Sequence, residues 1–216
     1  VIPVHYTYVT ATTASGNENR TYTALKRIID EDKTWIKLGK DEATKVRIDT
    51  SIALNDFYNQ NDELISTKVN EGGFVTIING ELGVENERNT FSADMVITNV
   101  KENIPEEGDP YVTVRGAIFN FRNALLPVDF TVRHRDGMKY FLDLEVSNAE
   151  PIFTKVWGKI ECRTIVNEIT EESAFGEGSV RTYERKVKEW NITGTAKIPY
   201  DFGDEKFLTS EDLTKA

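Results

Sequence analysis

Aromatic and cationic side chains alternate along residues 152–160, which read Ile-Phe-Thr-Lys-Val-Trp-Gly-Lys-Ile. Because successive side chains of a strand point to opposite faces, a strand here would place two aromatic–cation pairs on one face: Phe153, Lys155, Trp157 and Lys159. Cations neutralise phosphates, and aromatic rings stack on unpaired bases with about 1–3 kcal/mol each. The pattern therefore predicts a binding face for single-stranded nucleic acid. The alternative is a strand whose aromatics fill the end of a barrel while its lysines extend into solvent.

Two further basic segments lie in the second half of the chain. On a strand over residues 131–139, Arg133 and Arg135 would share a face, and Lys139 follows them. The second segment contains five basic or aromatic residues: Arg181, Tyr183, Arg185, Lys186 and Lys188. We expect its cations to contact phosphates and its tyrosine to stack on a base. The alternative is a solvated hairpin whose basic residues are balanced by neighbouring glutamates.

The first half contains a shorter version of the same alternation, in which Trp35 lies between Lys33 and Lys37. Lys45 and Arg47 follow it and add positive charge. Trp35 fits a base-stacking platform and a hydrophobic core equally well. Trp35 is therefore a candidate nucleic-acid contact, and a position in the core is the alternative.

Residues that could carry catalysis or bind a metal are scarce. His5 and His134 stand in no nucleophile-elbow or zinc-protease motif. The single cysteine, Cys162, excludes an internal disulfide, and a thiol within a predicted strand is usually inert. No glycine-rich segment has the Lys-Ser/Thr ending of a phosphate loop. We therefore expect a binding protein rather than an enzyme, with no metal and no cofactor.

The elements that must position these side chains read mostly as strands. Val112–Arg115, Phe130–Arg133 and Phe141–Val146 alternate in polarity and are rich in β-branched or aromatic residues. Asp136-Gly137 separates the last two runs and predicts a hairpin turn. Helix is scarce, and its best candidate is the amphipathic segment at residues 23–33. The sequence therefore predicts an all-β protein with little helix.

Residues 105–110 read as a linker, because their prolines and acids have little to pack and proline cannot donate to a β ladder. This linker separates residues 1–104 from residues 111–200, and an acidic tail follows at 201–216. The two halves share an order of predicted strands, glycine turn, polar loop and closing strand. In the first half the predicted strands include residues 45–49 and 74–78, and the closing strand covers residues 91–100. A five-stranded barrel fits each half. One sandwich built across both halves is the alternative.

Charge is unevenly distributed along the chain. The 216 residues carry a net charge of −10, which by itself argues against a nucleic-acid partner. Residues 56–109 contribute −9 and residues 201–216 contribute −3, whereas residues 1–55 and 110–200 each carry +1. The second half can therefore form a local basic face. The sequence contains no apolar run of the roughly 20 residues that a membrane helix needs. No signal peptide is evident either, so we expect a cytoplasmic protein.

The order of the segments in the second half points to a family. Residues 133–144, which read RHRDGMKYFLDL, fit a strand–turn–strand, and residues 152–160 fit a following strand with interleaved basic and aromatic residues. Residues 190–195 and 199–205 fit a last barrel strand that gives way to an acidic tail. Together these segments resemble phage-type single-stranded DNA-binding proteins with an oligonucleotide-binding (OB) fold. The resemblance covers residues 111–212.

The resemblance implies two OB-like modules that bind single-stranded DNA without sequence preference, in DNA replication or recombination. The setting would be a bacterial or phage-infected cytoplasm. The acidic tail is then a candidate contact for other replication or recombination proteins, and the sequence is compatible with a homo-oligomer. The rival hypothesis is a structural β-sandwich component of a phage virion that assembles through its edge strands. Such a protein needs no aligned aromatic–basic face.

Overall fold

The computed structural model describes residues 2–84, 88–106, 108–120, 124–171 and 179–202. For residues 167–171, 179 and 185 it describes the backbone only. The chain divides into two compact units. Pro3–Arg88 forms the first unit, and the second begins at Asn89 and includes Ile2. The predicted acidic tail lies outside the described residues from position 203 onward.

The first unit is built on a two-stranded sheet. Helices α1 (Arg20–Glu31) and α2 (Trp35–Glu42) precede strands β1 (Val46–Tyr58) and β2 (Leu64–Ile77), and the two strands pair antiparallel. α1 begins after Asn19 because the side-chain oxygen of Asn19 accepts a backbone N–H of the first turn at 3.1 Å. Since a lone hairpin is marginal in water, the packing of α1 on β2 supports this sheet.

The barrel expected for residues 1–104 is not what the first unit forms. The helix predicted at 23–33 is confirmed as α1, and the strands predicted at 45–49 and 74–78 overlap β1 and β2. Residues 91–100, expected as the closing strand of this module, belong instead to the second unit. The described part of the first unit therefore lacks the strands needed to close a barrel.

The second unit is a closed five-stranded barrel with one helix. Its elements are β3 (Thr90–Asn103), β4 (Tyr111–Phe119), β5 (Leu125–Val132), α3 (Arg135–Leu142), β6 (Ile152–Glu171) and β7 (Ser179–Thr195). The strand order is β3-β4-β5-β7-β6, and β6 pairs with β3 to close the barrel. β5 and β7 are parallel, and every other neighbouring pair is antiparallel. The prediction of a mainly β protein is confirmed.

Inward-facing residues alternate along the strands and fill the barrel. Val112 and Val114 of β4 are fully buried, and Phe130 of β5 and Ile192 of β7 are almost so. Two glycines allow strands to approach each other closely: a Cβ at Gly116 would lie 1.9 Å from the Val96 carbonyl oxygen. A Cβ at Gly158 would lie 2.0 Å from the Asn191 carbonyl oxygen. These contacts require glycine, because no side chain fits at such distances.

The predicted position of the interdomain linker is corrected by the barrel. Residues 105–110 are the connection between the paired strands β3 and β4, not an interdomain linker. The division between units lies near Arg88 instead. The proline and acid content of 105–110 is typical both of a surface turn and of a linker. Composition alone therefore could not distinguish a strand connection from a domain boundary.

The hairpin predicted at Asp136-Gly137 is also wrong, since these residues lie in α3. The Met138 N–H donates to the His134 carbonyl at 2.8 Å. Helical geometry turns Phe141 inward, where it is 2% exposed. Packing of this aromatic ring therefore overrides the strand-like composition of the segment. α3 connects β5 to β6 and contacts β3 and β4.

Candidate functional site

The outer face of β6 presents the aromatic–basic pattern seen in the sequence. Thr154, Val156 and Gly158 are buried, whereas Lys155 and Trp157 are exposed between them. The predicted alternation of faces is therefore confirmed over the centre of this strand. Trp157 keeps 43% of its surface exposed although it belongs to a barrel strand. An indole this open on a pleated surface is a candidate stacking platform.

The indole of Trp157 is supported by small neighbours on both adjacent strands. On β7 its register partner is Gly194, and on β3 it is Ser92. A Cβ at Gly194 would lie 2.4 Å from Trp157 Nε1 and 2.6 Å from Cε2. The ring thus lies against bare backbone, which holds it in place while leaving it accessible to a ligand. Gly194 is not among the residues predicted from the sequence, although an isolated glycine in a strand can signal such close approach.

Lys155 provides an available cation two residues from the indole. Its backbone carbonyl accepts the Ala196 N–H at 2.9 Å, which fixes the strand but leaves the side chain exposed. None of the residues that the structure describes forms an ion pair with the Lys155 ammonium. Its register partner on β3, Asp94, instead accepts a hydrogen bond from Tyr200 Oη at 3.0 Å. That hydrogen bond raises the pKa of Tyr200.

Phe153 occupies a different environment from Trp157. Its ring lies 4.8 Å from Tyr200 and 5.4 Å from Phe202, with an interplanar angle of 18° to the latter. It also meets Phe119 edge-on at 5.9 Å. The Tyr200 N–H donates to the Phe153 carbonyl at 2.8 Å, so the segment after β7 runs beside β6. Phe153 therefore packs within its own chain, and Lys159 at the other end of the pattern is half-buried.

Arg133 belongs to an ion-pair cluster around a shielded carboxylate. Glu189 accepts hydrogen bonds from Arg133 at 3.2 and 2.7 Å and from Arg163 at 2.5 Å, and its side chain is only 11% exposed. Burial alone would raise the pKa of Glu189, but the two guanidinium groups outweigh burial and lower it. The hydrogen bond to Glu189 raises the pKa of Arg133 in turn. Arg133 also lies 4.8 Å from the centre of the Tyr111 ring.

A shallow cavity opens beside this cluster. Arg133 and Arg163 line it together with Glu161 and the amides Asn89 and Asn191. The Asn191 Oδ1 atom is buried and has no hydrogen-bond partner among the described residues. Because Glu161 and Glu189 offset the two guanidinium groups, the cavity is polar rather than strongly basic. It adds hydrogen-bonding capacity beside the barrel but little net charge.

Arg135 and Lys139 are not on a strand with Arg133, as the sequence analysis expected. They lie on α3, four residues apart, and both are exposed. Residues at this spacing share one face of a helix. The three cations therefore do not form one row. Arg133 is paired with Glu189, whereas Arg135 and Lys139 lie on one face of α3.

The basic segment of β7 is split between the two faces of its strand. Tyr183 and Arg181 point to one face, whereas Lys186 and Lys188 point to the other, because side chains alternate. All four are exposed, and Tyr183 is 49% exposed. The side chain of Arg185 lies outside the described part of the chain. No single face thus collects all the residues predicted here.

Trp35 lies in the first turn of α2 and is 65% exposed, which excludes the core alternative. It belongs to the first unit, whereas every other candidate contact lies in the second.

The described residues contain no group of three or more His, Cys, Asp or Glu side chains that could hold a metal ion. None of the described helices is long and apolar enough to cross a bilayer.

Comparison with known proteins identifies the family of this chain. No curated protein and no solved structure matches this chain. The YorF family model matches residues 3–216, nearly the full length, and the chain therefore belongs to the YorF family.

Proposed function

We propose that the second unit is an OB-type barrel that binds single-stranded DNA without sequence preference, in replication or recombination in the cytoplasm. The observation that carries the proposal is the exposed indole of Trp157, which lies against Gly194 and beside Lys155, a cation that forms no ion pair with any described residue. Stacking on an aromatic ring and neutralisation of a phosphate are the two interactions that sequence-independent binding needs. Their combination on one strand face supports this function over a purely structural role.

The topology of the barrel supports the OB assignment. OB folds are five-stranded Greek-key barrels. Here β3 pairs with both β4 and β6, and β5 lies beside β7, so the chain returns across the barrel through α3. This arrangement is a closed five-stranded barrel with a non-sequential strand order, as an OB barrel requires.

The proposed DNA path differs from the usual one on this fold. OB folds commonly bind oligonucleotides on the face of their second and third strands, which here are β4 and β5. On that face Arg115 is held by Asp129 in a two-point ion pair at 2.9 and 3.1 Å. The adjoining connection at 104–110 is rich in acids. We therefore place the DNA on β6, where the described part of the chain offers Lys155 no such partner.

The test is a fluorescence-polarisation titration with labelled oligo-dT at two salt concentrations. Binding should weaken steeply with salt, because phosphate neutralisation releases counterions. Replacing both Lys155 and Trp157 by alanine should weaken binding by more than tenfold. The matched control is the Arg115→Ala variant on β4, which should bind like the wild type. Absence of binding at low salt, or loss in the Arg115 variant alone, would reject the proposed site.

A structural virion role is the second candidate, because no described strand pairs with the outer edge of β1 or with the β3-side edge of β6 beyond Lys159. This role predicts assembly of the protein with no affinity for oligo-dT at any salt concentration. The same titration, followed by light scattering, separates the two functions.

A further inference from the structure

The segment that follows β7 stays beside β6. We define residues 196–202 as the strap. At its start the Ala196 N–H donates to the Lys155 carbonyl at 2.9 Å, and further along the Tyr200 N–H donates to the Phe153 carbonyl at 2.8 Å. Carbonyls two residues apart on a strand point to the same side. The strap therefore follows the β7 side of β6 as far as Phe153.

The side chain of Tyr200 crosses β6 from its β7 side to its β3 side. Tyr200 Oη donates to a carboxylate oxygen of Asp94 at 3.0 Å, and Asp94 lies on β3 as the register partner of Lys155. Because β6 lies between β3 and β7, a side chain that starts on the β7 side and reaches Asp94 must pass over β6. Asp94 and Lys155 are both exposed, so the crossing takes place on the outer face of the barrel.

Tyr200 is held in place by its backbone, its hydroxyl and its ring, yet it remains open to solvent. The ring packs 4.8 Å from the Phe153 ring, with an interplanar angle of 40°. Even so, 47% of the Tyr200 surface is exposed. A ring that is already fixed loses little conformational entropy when a ligand stacks on it. Tyr200 thus shares with Trp157 the combination of support and exposure that a stacking platform needs.

Lys155 consequently lies between two exposed rings on one face. The order along β6 is Phe153, against which Tyr200 packs, then Lys155, then Trp157. Positions 153 and 157 are roughly 13 Å apart along a strand. Sequence-tolerant binding of a single strand uses rings for successive bases and cations for the backbone between them. Lys197 of the strap adds an exposed cation that forms no ion pair with any described residue.

We propose that Tyr200 is a second base-stacking platform, so that a bound single strand runs along β6 with one base on Trp157, another on Tyr200 and the backbone between them at Lys155. This inference rests on the proposed function and extends its site to a residue outside the barrel strands. The negative charge of Asp94 is offset by Lys155 opposite it. Two of the contacts that hold Tyr200, to Asp94 and to the Phe153 carbonyl, do not involve the Phe153 side chain.

Titration of three tyrosine variants with labelled oligo-dT tests the second platform. Tyr200→Leu removes the aromatic face but keeps apolar bulk, and should weaken binding about tenfold, in the range of one lost stacking contact. Tyr200→Phe keeps the ring without the hydrogen bond to Asp94, and should bind like the wild type. Tyr58→Leu is the matched control, because Tyr58 is 70% exposed at the end of β1 in the first unit. This control should also bind like the wild type, and thermal unfolding checks that all three variants fold.

Photo-crosslinking distinguishes contact with the base from an indirect effect of the strap. Oligo-dT that carries iodouracil in place of some thymines should crosslink on irradiation to Tyr200 and to Trp157, and not to Tyr58, as located by mass spectrometry of the peptides. The absence of a crosslink at Tyr200, or equal losses of affinity in Tyr200→Leu and Tyr200→Phe, would overturn the second platform.

The same experiments separate this inference from the function on which it rests. If the wild type binds oligo-dT and Trp157→Ala weakens binding while Tyr200→Leu does not, the second platform is wrong and the proposed function stands. If the wild type does not bind oligo-dT at low salt, both are wrong.

Discussion

Trp157 and Gly194 form a side-chain-to-backbone contact across two strands of the barrel. The Trp157 indole occupies the space that a side chain at Gly194 would need, with 2.4 Å between Nε1 and a Cβ built there. The ring is therefore supported from below by backbone, while 43% of the Trp157 surface remains exposed. A stacking platform benefits from this arrangement, because a ring already held in place loses little conformational entropy on binding.

Adding a methyl group at Gly194 should move the platform without unfolding the barrel. Gly194→Ala should weaken oligo-dT binding about tenfold, in the range of one lost stacking contact. The neighbouring atoms belong to a side chain that can rotate away, so stability should fall by about 1 kcal/mol, at the low end of the usual cost of overpacking. Polarisation titration and thermal unfolding measure the two effects.

Gly116→Ala is the contrasting control. Its new Cβ would meet the Val96 carbonyl oxygen at 1.9 Å, a backbone atom that cannot rotate away. We expect a loss of about 3 kcal/mol, which lowers the melting temperature by about 6–12 °C. Equal melting temperatures for the two alanine variants would contradict this account of the glycines.

Intrinsic fluorescence should report directly on the Trp157 indole. The chain has three tryptophans, and replacing Trp35 by Phe leaves Trp157 at 43% exposure and Trp190 at 2%. Acrylamide should quench this variant through Trp157, because Trp190 is shielded. Saturating oligo-dT should remove most of that quenching by covering the indole. Unchanged quenching in the presence of bound DNA would place the DNA elsewhere on the protein.

Local pattern was sufficient to predict the central part of the site. A strand imposes a period of two on its side chains whatever its tertiary surroundings. The exposed Lys155 and Trp157 and the buried Val156 therefore follow from residues 152–160 alone. The same reasoning predicted the mainly β class and the helix α1.

Tertiary partners account for the parts that sequence reasoning missed. Arg133 is paired with Glu189, which lies 56 positions away, and no local pattern indicates such a partner. Phe153 has the same parity as Trp157, yet it packs on Phe202 and Tyr200 from the segment after β7. α3 forms because Phe141 has an apolar site to fill, and that site exists only once the barrel has closed.

Truncating Phe153 should therefore affect stability more than DNA binding. Phe153→Ala removes ring contacts to Phe119, Tyr200 and Phe202, and we expect a loss of about 3 kcal/mol. Trp157→Ala, at a ring that keeps 43% of its surface exposed, should lose less stability than Phe153→Ala while binding oligo-dT about tenfold more weakly. Urea unfolding and polarisation titration on the same two variants distinguish packing from ligand contact. If Trp157→Ala lost more stability and Phe153→Ala lost more affinity for oligo-dT, Phe153 rather than Trp157 would be the DNA contact.

Glu189 should make the stability of the barrel sensitive to acid. Its folded-state pKa lies below the usual glutamate range because the hydrogen bonds from Arg133 and Arg163 outweigh its burial. A carboxylate with a depressed pKa contributes stability that is fully present above the unfolded-state pKa. That contribution is lost as the pH falls through the folded-state pKa. Glu189→Gln should therefore cost about 2 kcal/mol at pH 7, and the difference from wild type should shrink towards pH 3.

The exposed ion pair between Arg115 and Asp129 provides the control for this pH dependence. Side chains of Arg115 and Asp129 are 65% and 35% exposed, against 24% and 11% for Arg133 and Glu189. Solvent screens the exposed pair, so Asp129→Asn should cost about 0–1 kcal/mol at pH 7. Urea unfolding of both variants from pH 7 to pH 3 makes the comparison. A Glu189→Gln deficit that stays constant over this range would mean that the carboxylate acts through packing rather than charge.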